Sequence, residues 1–236
     1  MMHSMNKPET GARASLAQRL RSDTASLHAQ AERSGVMPDL LRGKLDRLAY
    51  CRLLRNLHEI YLALERELTR HAAHRHIAPI YAAELLRHAA LGADLDVLHG
   101  PGWKDTLQVA SACAQYVARL QGIGDANPGM LVAHAYVRYL GDLSGGQILR
   151  GIVTDALHLN GEGVRFYEFP APGAVTLAER FRAGLNSIDL DDAVAAAIIA
   201  EAKLAFGLHV RLFDELATAG QRADVQASGR LGDKLC

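Results

Sequence analysis

Apolar residues recur with a helical period along almost the whole chain, and no stretch alternates as a half-buried strand does. Leu48, Cys51, Leu54, Leu57, Tyr61, Leu64 and Leu68 hold the 3.6-residue period across residues 46–73. Leu16, Leu20, Leu27 and Ala31 do the same between Ser15 and Ser34. Further helices are expected from Pro79 to Ala90, from Thr106 to Leu120, and over 128–158, 174–187 and 190–218, with Gly100, Pro101 and Gly102 as breakers between two of them. VRFYEF, at 164–169, has extended character but no partner strand. Short connections in a chain of 236 residues point to one compact all-α domain over 12–218, with a disordered segment at 1–11 and a flexible tail at 219–236.

Charge and cysteine content narrow the function classes. Lys and Arg total 26 and Asp and Glu total 26, so no global field draws the chain to nucleic acid or to an anionic membrane. Cys51, Cys113 and Cys236 are few, odd in number and far apart, which argues against a disulfide framework or a zinc cluster and fits a reducing compartment. No segment has the uncharged apolar length of a signal peptide core or a membrane anchor. A cytoplasmic protein without a membrane anchor is the expectation.

The segment HAYVRYLGDLSGGQILRGIV, from His134 to Val153, breaks the helical rules that its flanks obey. Gly141, Gly145 and Gly146 lie inside it, and each interior glycine costs about 1 kcal/mol relative to alanine. A total near 3 kcal/mol is a large share of a net stability of about 5–15 kcal/mol, so something must offset it. Gly141 and Gly145 share a face. That face suits either close packing against another helix or a flat groove in which a planar ligand lies on the backbone, with a kink freeing backbone groups. His134, Arg138 and Asp142 follow at i, i+4 and i+8 beside it, a pattern suited to proton delivery; the plainer reading of Arg138 and Asp142 is an exposed ion pair.

His28 sits at the edge of the apolar stripe of the first helix, with Arg21 seven residues before it and Glu32 four residues after. A carboxylate on the second imidazole nitrogen is a common support for a metal-bound histidine, and an arginine nearby suits a cofactor carboxylate. Haem combines both needs, a central metal and peripheral carboxylates. His71, His74 and His76 gather near a helix end, where they favour its negative pole or bind a transition metal adventitiously, and His88, His99 and His158 read as surface residues.

HAYVRYLGDLSGGQILRGI closely resembles the signature helix of the heme oxygenases. LHAQAERSGVMPDLLRG resembles that family's proximal segment, and LHEIYLALERE, FYEFP, LNSIDL and EAKLAFGLHVRLFDEL are similar to further blocks, so that the likeness covers about residues 14–218. The resemblance implies haem b, as both substrate and cofactor, held between a proximal helix and a kinked distal helix. It implies His28 as iron ligand with Glu32 supporting it, and the Gly141–Gly146 backbone over the opposite haem face, with Ser144 and Gly145 part of that surface. Asp142 would hold the water that delivers a proton, with Arg138 and Tyr61 in the same network as catalytic residues. Arg21, Tyr136 and Arg182 match propionate contacts, and Phe206 and Phe213 match apolar residues of the pocket.

The activity so implied is oxygen- and reductant-dependent cleavage of haem to biliverdin, the alpha isomer first, with carbon monoxide and ferrous iron. The electron donor would be a ferredoxin or flavodoxin with its reductase, docking on a basic patch that includes Arg21 and Arg182. Val137, Ala178 and His209 depart from residues common in the family, a threonine, a lysine and an amide. The competing readings are a non-catalytic haem carrier or sensor of the same fold and a haem-free helical enzyme. A carboxylate-bridged di-iron bundle is disfavoured, because the chain contains no Glu-x-x-His.

Overall fold

The computed structural model describes residues 14–232, with side chains as far as Gly220. The elements in order are α1 (Leu16–Ala31), α2 (Met37–Leu41), α3 (Arg47–Arg70), α4 (His88–Leu98), α5 (Trp103–Thr106), α6 (Ser111–Ala126), α7 (Leu131–Ala135), α8 (Gly141–Ala156), α9 (Ala174–Ser187) and α10 (Asp192–Gly232). Short 3-10 turns fill 83–85, 128–130 and 165–167, and no strand occurs among the described residues. VRFYEF is therefore not a strand; its backbone is held by Asp94 of α4, which accepts from the Arg165 and Phe166 amides at 2.8 Å each.

Local signals set the helix starts. Ser15 and Gln18 form a capping box at α1, and Asp46 caps α3 by accepting from the Ala49 amide at 2.8 Å. α3 is the central rod. Leu53, Leu54, Leu57, Ile60, Tyr61, Leu64 and Leu68 are all buried, and the helix packs against α4, α6, α7 and α10. α1 lies along α10, and α8 lies between α2 and α9. Gly35 holds the turn after α1 against α10: its φ is +47°, and a Cβ there would run into the Phe213 carbonyl.

Several boundaries moved. The helix expected over Pro79–Ala90 does not form: a 3-10 turn occupies 83–85 and α4 starts at His88, running on through the expected connection to Leu98 because Leu91, Asp94, Leu95 and Leu98 bury one face of it. Helix α6 runs to Ala126, past the expected end at Leu120. The last helix continues to Gly232, past the expected end at 218 and into the segment assigned as tail; residues 233–236 and the N-terminal segment 1–11 lie outside the described residues. Asp192–Gly220 is long and apolar enough to cross a membrane by composition, but half of its most apolar window is buried inside the protein against α1, α6 and α7.

Candidate active site

The rod from Leu131 to Ala156 is not one regular helix. Between α7 and α8, Tyr136–Leu140 forms a π-helical turn that ends at Gly141. Such a turn inserts one residue into the hydrogen-bond ladder and rotates the next helix about its axis. A Cβ added at Gly141 or at Gly145 would meet no other atom within 4 Å, whereas one at Gly146 would meet Tyr167 Cδ1 at 3.5 Å. Gly146 thus serves packing, while Gly141 and Gly145 border open space. Of the two readings of the glycine face, helix packing is excluded for this pair among the described residues, and a bed for a flat ligand fits.

Beside the bare face stands a buried polar group of four. The Tyr61 hydroxyl, from α3, donates a short hydrogen bond to Asp142. Arg138 donates from Nε to the Tyr61 hydroxyl at 3.0 Å and from Nη2 to Asp142 Oδ1 at 3.2 Å. Its third nitrogen, Nη1, is 3.0 Å from His209 Nε2. His209 donates from Nδ1 to the Ala205 carbonyl at 2.9 Å, which leaves Nε2 as the acceptor. The ion pair is buried: the Arg138 and Asp142 side chains are 12% and 10% exposed, so the exposed-pair reading falls.

Burial pushes the Asp142 carboxyl above the usual carboxylate range, against the opposing pull of Arg138 and the Tyr61 hydroxyl. Burial likewise raises the Tyr61 phenol, and burial together with the Arg138 charge holds His209 neutral, far below the usual histidine range. A carboxyl that takes up a proton more readily than usual, held in one orientation by two donors, is equipped to pass a proton.

The expected iron ligand lies on α1. His28 Nδ1 lies 3.6 Å from Glu32 Oε1, both side chains are half-exposed, and the imidazole meets the Phe206 ring edge-on at 5.9 Å between centroids. Its Nε2 has no hydrogen-bond partner among the described residues. No group of three or more His, Cys, Asp or Glu is placed to hold a metal among the described residues. A lone imidazole holds iron only where a macrocycle supplies the remaining equatorial ligands, so the donor set fits haem rather than a protein-built metal centre. One turn before His28, the Thr24 hydroxyl lies 3.3 Å from the Tyr136 hydroxyl, tying α1 to the π-turn.

Arg21, Ser144 and Arg182 are exposed, Phe206 and Phe213 are buried, and Val137 and Ala178 are core residues. His134 is the correction. It does not flank the glycine face but is fully buried elsewhere, with Nδ1 3.0 Å from the Tyr116 hydroxyl and Nε2 3.0 Å from Glu201 Oε1. The i, i+4, i+8 argument assumed a regular helix, and the π-turn between His134 and Asp142 breaks that register. Sequence reasoning also passed over His209 as a partner of Arg138; its spacing in α10 carries no signal of that contact. His76, of the histidine cluster, is buried, and its backbone amide donates to His74 Nδ1 at 3.2 Å.

The heme oxygenase family model matches residues 14–215. Heme oxygenase of Porphyra purpurea is 39% identical over 204 residues, covering 86% of each chain, and heme oxygenase 1 of Homo sapiens is 40% identical over 205 residues, covering 85% of this chain and 71% of that one. Among solved structures, heme oxygenase-2 from Synechocystis sp. PCC 6803 in complex with heme and NO superposes with a TM-score of 0.84 at 40% identity, covering 89% of this chain and 88% of that one. Heme oxygenase from Leptospira interrogans superposes with a TM-score of 0.83 at 37% identity, covering 86% and 100%.

Proposed function

The chain belongs to the heme oxygenase family and is a haem-cleaving enzyme, and from that premise we propose how its own residues divide the work. Bound haem b supplies the iron at which dioxygen is reduced and the ring that is opened. His28 offers Nε2 to the metal while Glu32, at its Nδ1 side, fixes the ring orientation. Phe206 packs against the imidazole edge and limits its rotation. Gly141 and Gly145 let the ring approach the distal backbone, because no side chain occupies that space. Ser144 borders the same surface. Arg21, Tyr136 and Arg182 hold the propionates.

Asp142 holds an ordered water and passes it a proton. Tyr61 and Arg138 keep the carboxylate aimed, and His209 keeps Arg138 in place. With the backbone rather than a side-chain acid at the ring edge, steric pressure selects the carbon, and the alpha isomer of biliverdin is the product assigned, with carbon monoxide and ferrous iron. A ferredoxin or flavodoxin with its reductase delivers electrons in the cytoplasm, docking on the basic rim at Arg21 and Arg182.

The observation that carries this reading is the Asp142 carboxylate locked by Tyr61 and Arg138 beside two glycines whose outer face is bare. The test is hemin titration followed by ascorbate, or by ferredoxin and its reductase. Loss of the Soret band with formation of biliverdin is expected. His28→Ala should abolish turnover, and Asp142→Ala should bind haem without opening it. Haem that binds and persists in the unaltered protein would leave a carrier or sensor, and the assignment of Asp142 would fall.

A further inference from the structure

His71, His74 and His76 lie in the connection from α3 to α4, in the sequence HAAHRHIAP of residues 71–79. His76 is 6% exposed, and neither of its ring nitrogens has a hydrogen-bond partner. No other histidine among the described residues has both ring nitrogens buried and unmet in this way. A neutral imidazole carries one donor and one acceptor, and burying both without partners is costly. Such a ring in a native protein calls for an explanation, and a bound ion is one.

Three polar groups converge over Gly129, in the 3-10 turn Pro128–Met130 that leads into α7. A Cβ on this buried glycine would lie 2.6 Å from His76 Nδ1 and 3.5 Å from both Asn127 Oδ1 and His74 Cε1. Only glycine leaves room beside them. The His74 and His76 rings stand 5.1 Å apart between centroids, at 83° to each other. Two imidazoles on one tetrahedral zinc, with Zn–N of about 2.0–2.1 Å and a ring centre about 1.1 Å beyond the nitrogen, have centroids about 5.2 Å apart. An edge-to-face ring contact gives a similar spacing, but it leaves the His76 nitrogens unmet. His74 is half-buried and Asn127 is exposed, so two of the three groups border solvent.

We propose that His74 and His76, with the Asn127 amide oxygen, form a site for a divalent transition ion, zinc being the one whose tetrahedral geometry the ring spacing fits, with water completing its shell. His76 ligates through Nδ1, the nitrogen beside Gly129. His74 ligates through Nε2. Its proton moves to Nδ1, which gives up the long bond it accepts from the His76 amide at 3.2 Å. No electrons move. Two imidazoles and one amide oxygen form a nitrogen-rich donor set, which suits zinc, copper or nickel and not magnesium or calcium. The ion joins the α3–α4 connection to the foot of the rod that begins at Leu131 and carries Asp142. The site shares no residue with the haem site and does not depend on how haem is cleaved.

The test uses the full chain loaded with haem, so that His28 is occupied. Calorimetric titration should find one zinc ion bound per chain, and Co2+ in its place should give the visible absorption band of tetrahedral coordination. Zinc should raise the melting temperature of the parent. His74→Ala removes a half-buried ring and should weaken zinc binding by at least about tenfold, since loss of even a supporting partner costs that much. It should also remove the cobalt band and the thermal shift. His76→Leu should do the same, but it alters the core, so His74→Ala carries the decision. His71→Ala removes a histidine of the same cluster that is not a ligand, and should change none of the three readings. If the parent binds no zinc, or His74→Ala binds it as the parent does, the site does not exist. If His71→Ala loses binding as fully as His74→Ala, the ion rests on loose surface imidazoles and the site at Gly129 is refuted.

Discussion

Replacing Gly141 and Gly145 with alanine sets folding against ligand binding. Gly141 has φ −61° and ψ −50°, ordinary helical values that alanine adopts without strain, and Gly145 lies inside α8. Neither Cβ would touch another atom within 4 Å. Each replacement therefore gains the helix propensity of alanine, about 1 kcal/mol, with no packing penalty. For a domain of this size about 1 kcal/mol corresponds to roughly 2–4 °C, so the double variant should melt roughly 4–8 °C higher in the haem-free form. The same two methyl groups would stand in the space assigned to the porphyrin. Hemin affinity should fall, and bound haem should sit askew and turn over poorly.

Gly151, six residues beyond Gly145 in α8 and so about 9 Å along the axis, supplies the control. Its Cβ also meets nothing, so Gly151→Ala should stabilise the protein and leave haem binding alone. Circular dichroism melts of the haem-free variants and hemin titration followed by Soret absorbance read both quantities. A lower melting temperature in the double variant, or unchanged haem affinity, would refute the argument that these glycines are kept bare for a ligand.

Other outcomes rest on single contacts. Gly35→Ala places a Cβ against the Phe213 carbonyl in a left-handed conformation, and should cost at least about 2 kcal/mol, read as a fall in melting temperature of at least about 4 °C. Tyr61→Phe takes one buried hydrogen-bond partner each from Asp142 and Arg138, which stay bonded to each other; it should cost about 1–3 kcal/mol of stability, retain haem, and slow ring opening in a stopped-flow assay by about tenfold or more. Burial alone would raise the Glu201 carboxyl, but bonds from His134 and Arg119 outweigh it and bring its pKa from 4.5 down to about 2. The folded form then binds fewer protons than the unfolded one between those values, so stability present above pH 4.5 drains away as pH falls toward 2. The shift corresponds to up to about 3 kcal/mol, and Glu201→Gln should flatten that limb in urea melts taken across the acid range.

The helical character of the chain was legible in the residues themselves, and the candidate site residues were named largely from the likeness to a family. The period of Leu54, Leu57, Tyr61, Leu64 and Leu68 reports the buried face of α3 directly, because helix periodicity is a local property of backbone geometry. Gly141 and Gly145 were conspicuous because they defy helix propensity. Their environment was not legible: whether a glycine face is packed or bare depends on which element lies opposite, and only the fold put Tyr167 over Gly146 and nothing over its neighbours. His134 was misplaced for the same reason. The π-turn at Tyr136–Leu140 is a tertiary compromise that shifts register, and no spacing rule anticipates it. Likewise His88 reads as a surface residue until α4 is docked on α3 and brings it to Glu65. Periodicity determined which residues point inward. Which of them meet was decided by how the helices pack, since those contacts join residues far apart in the chain.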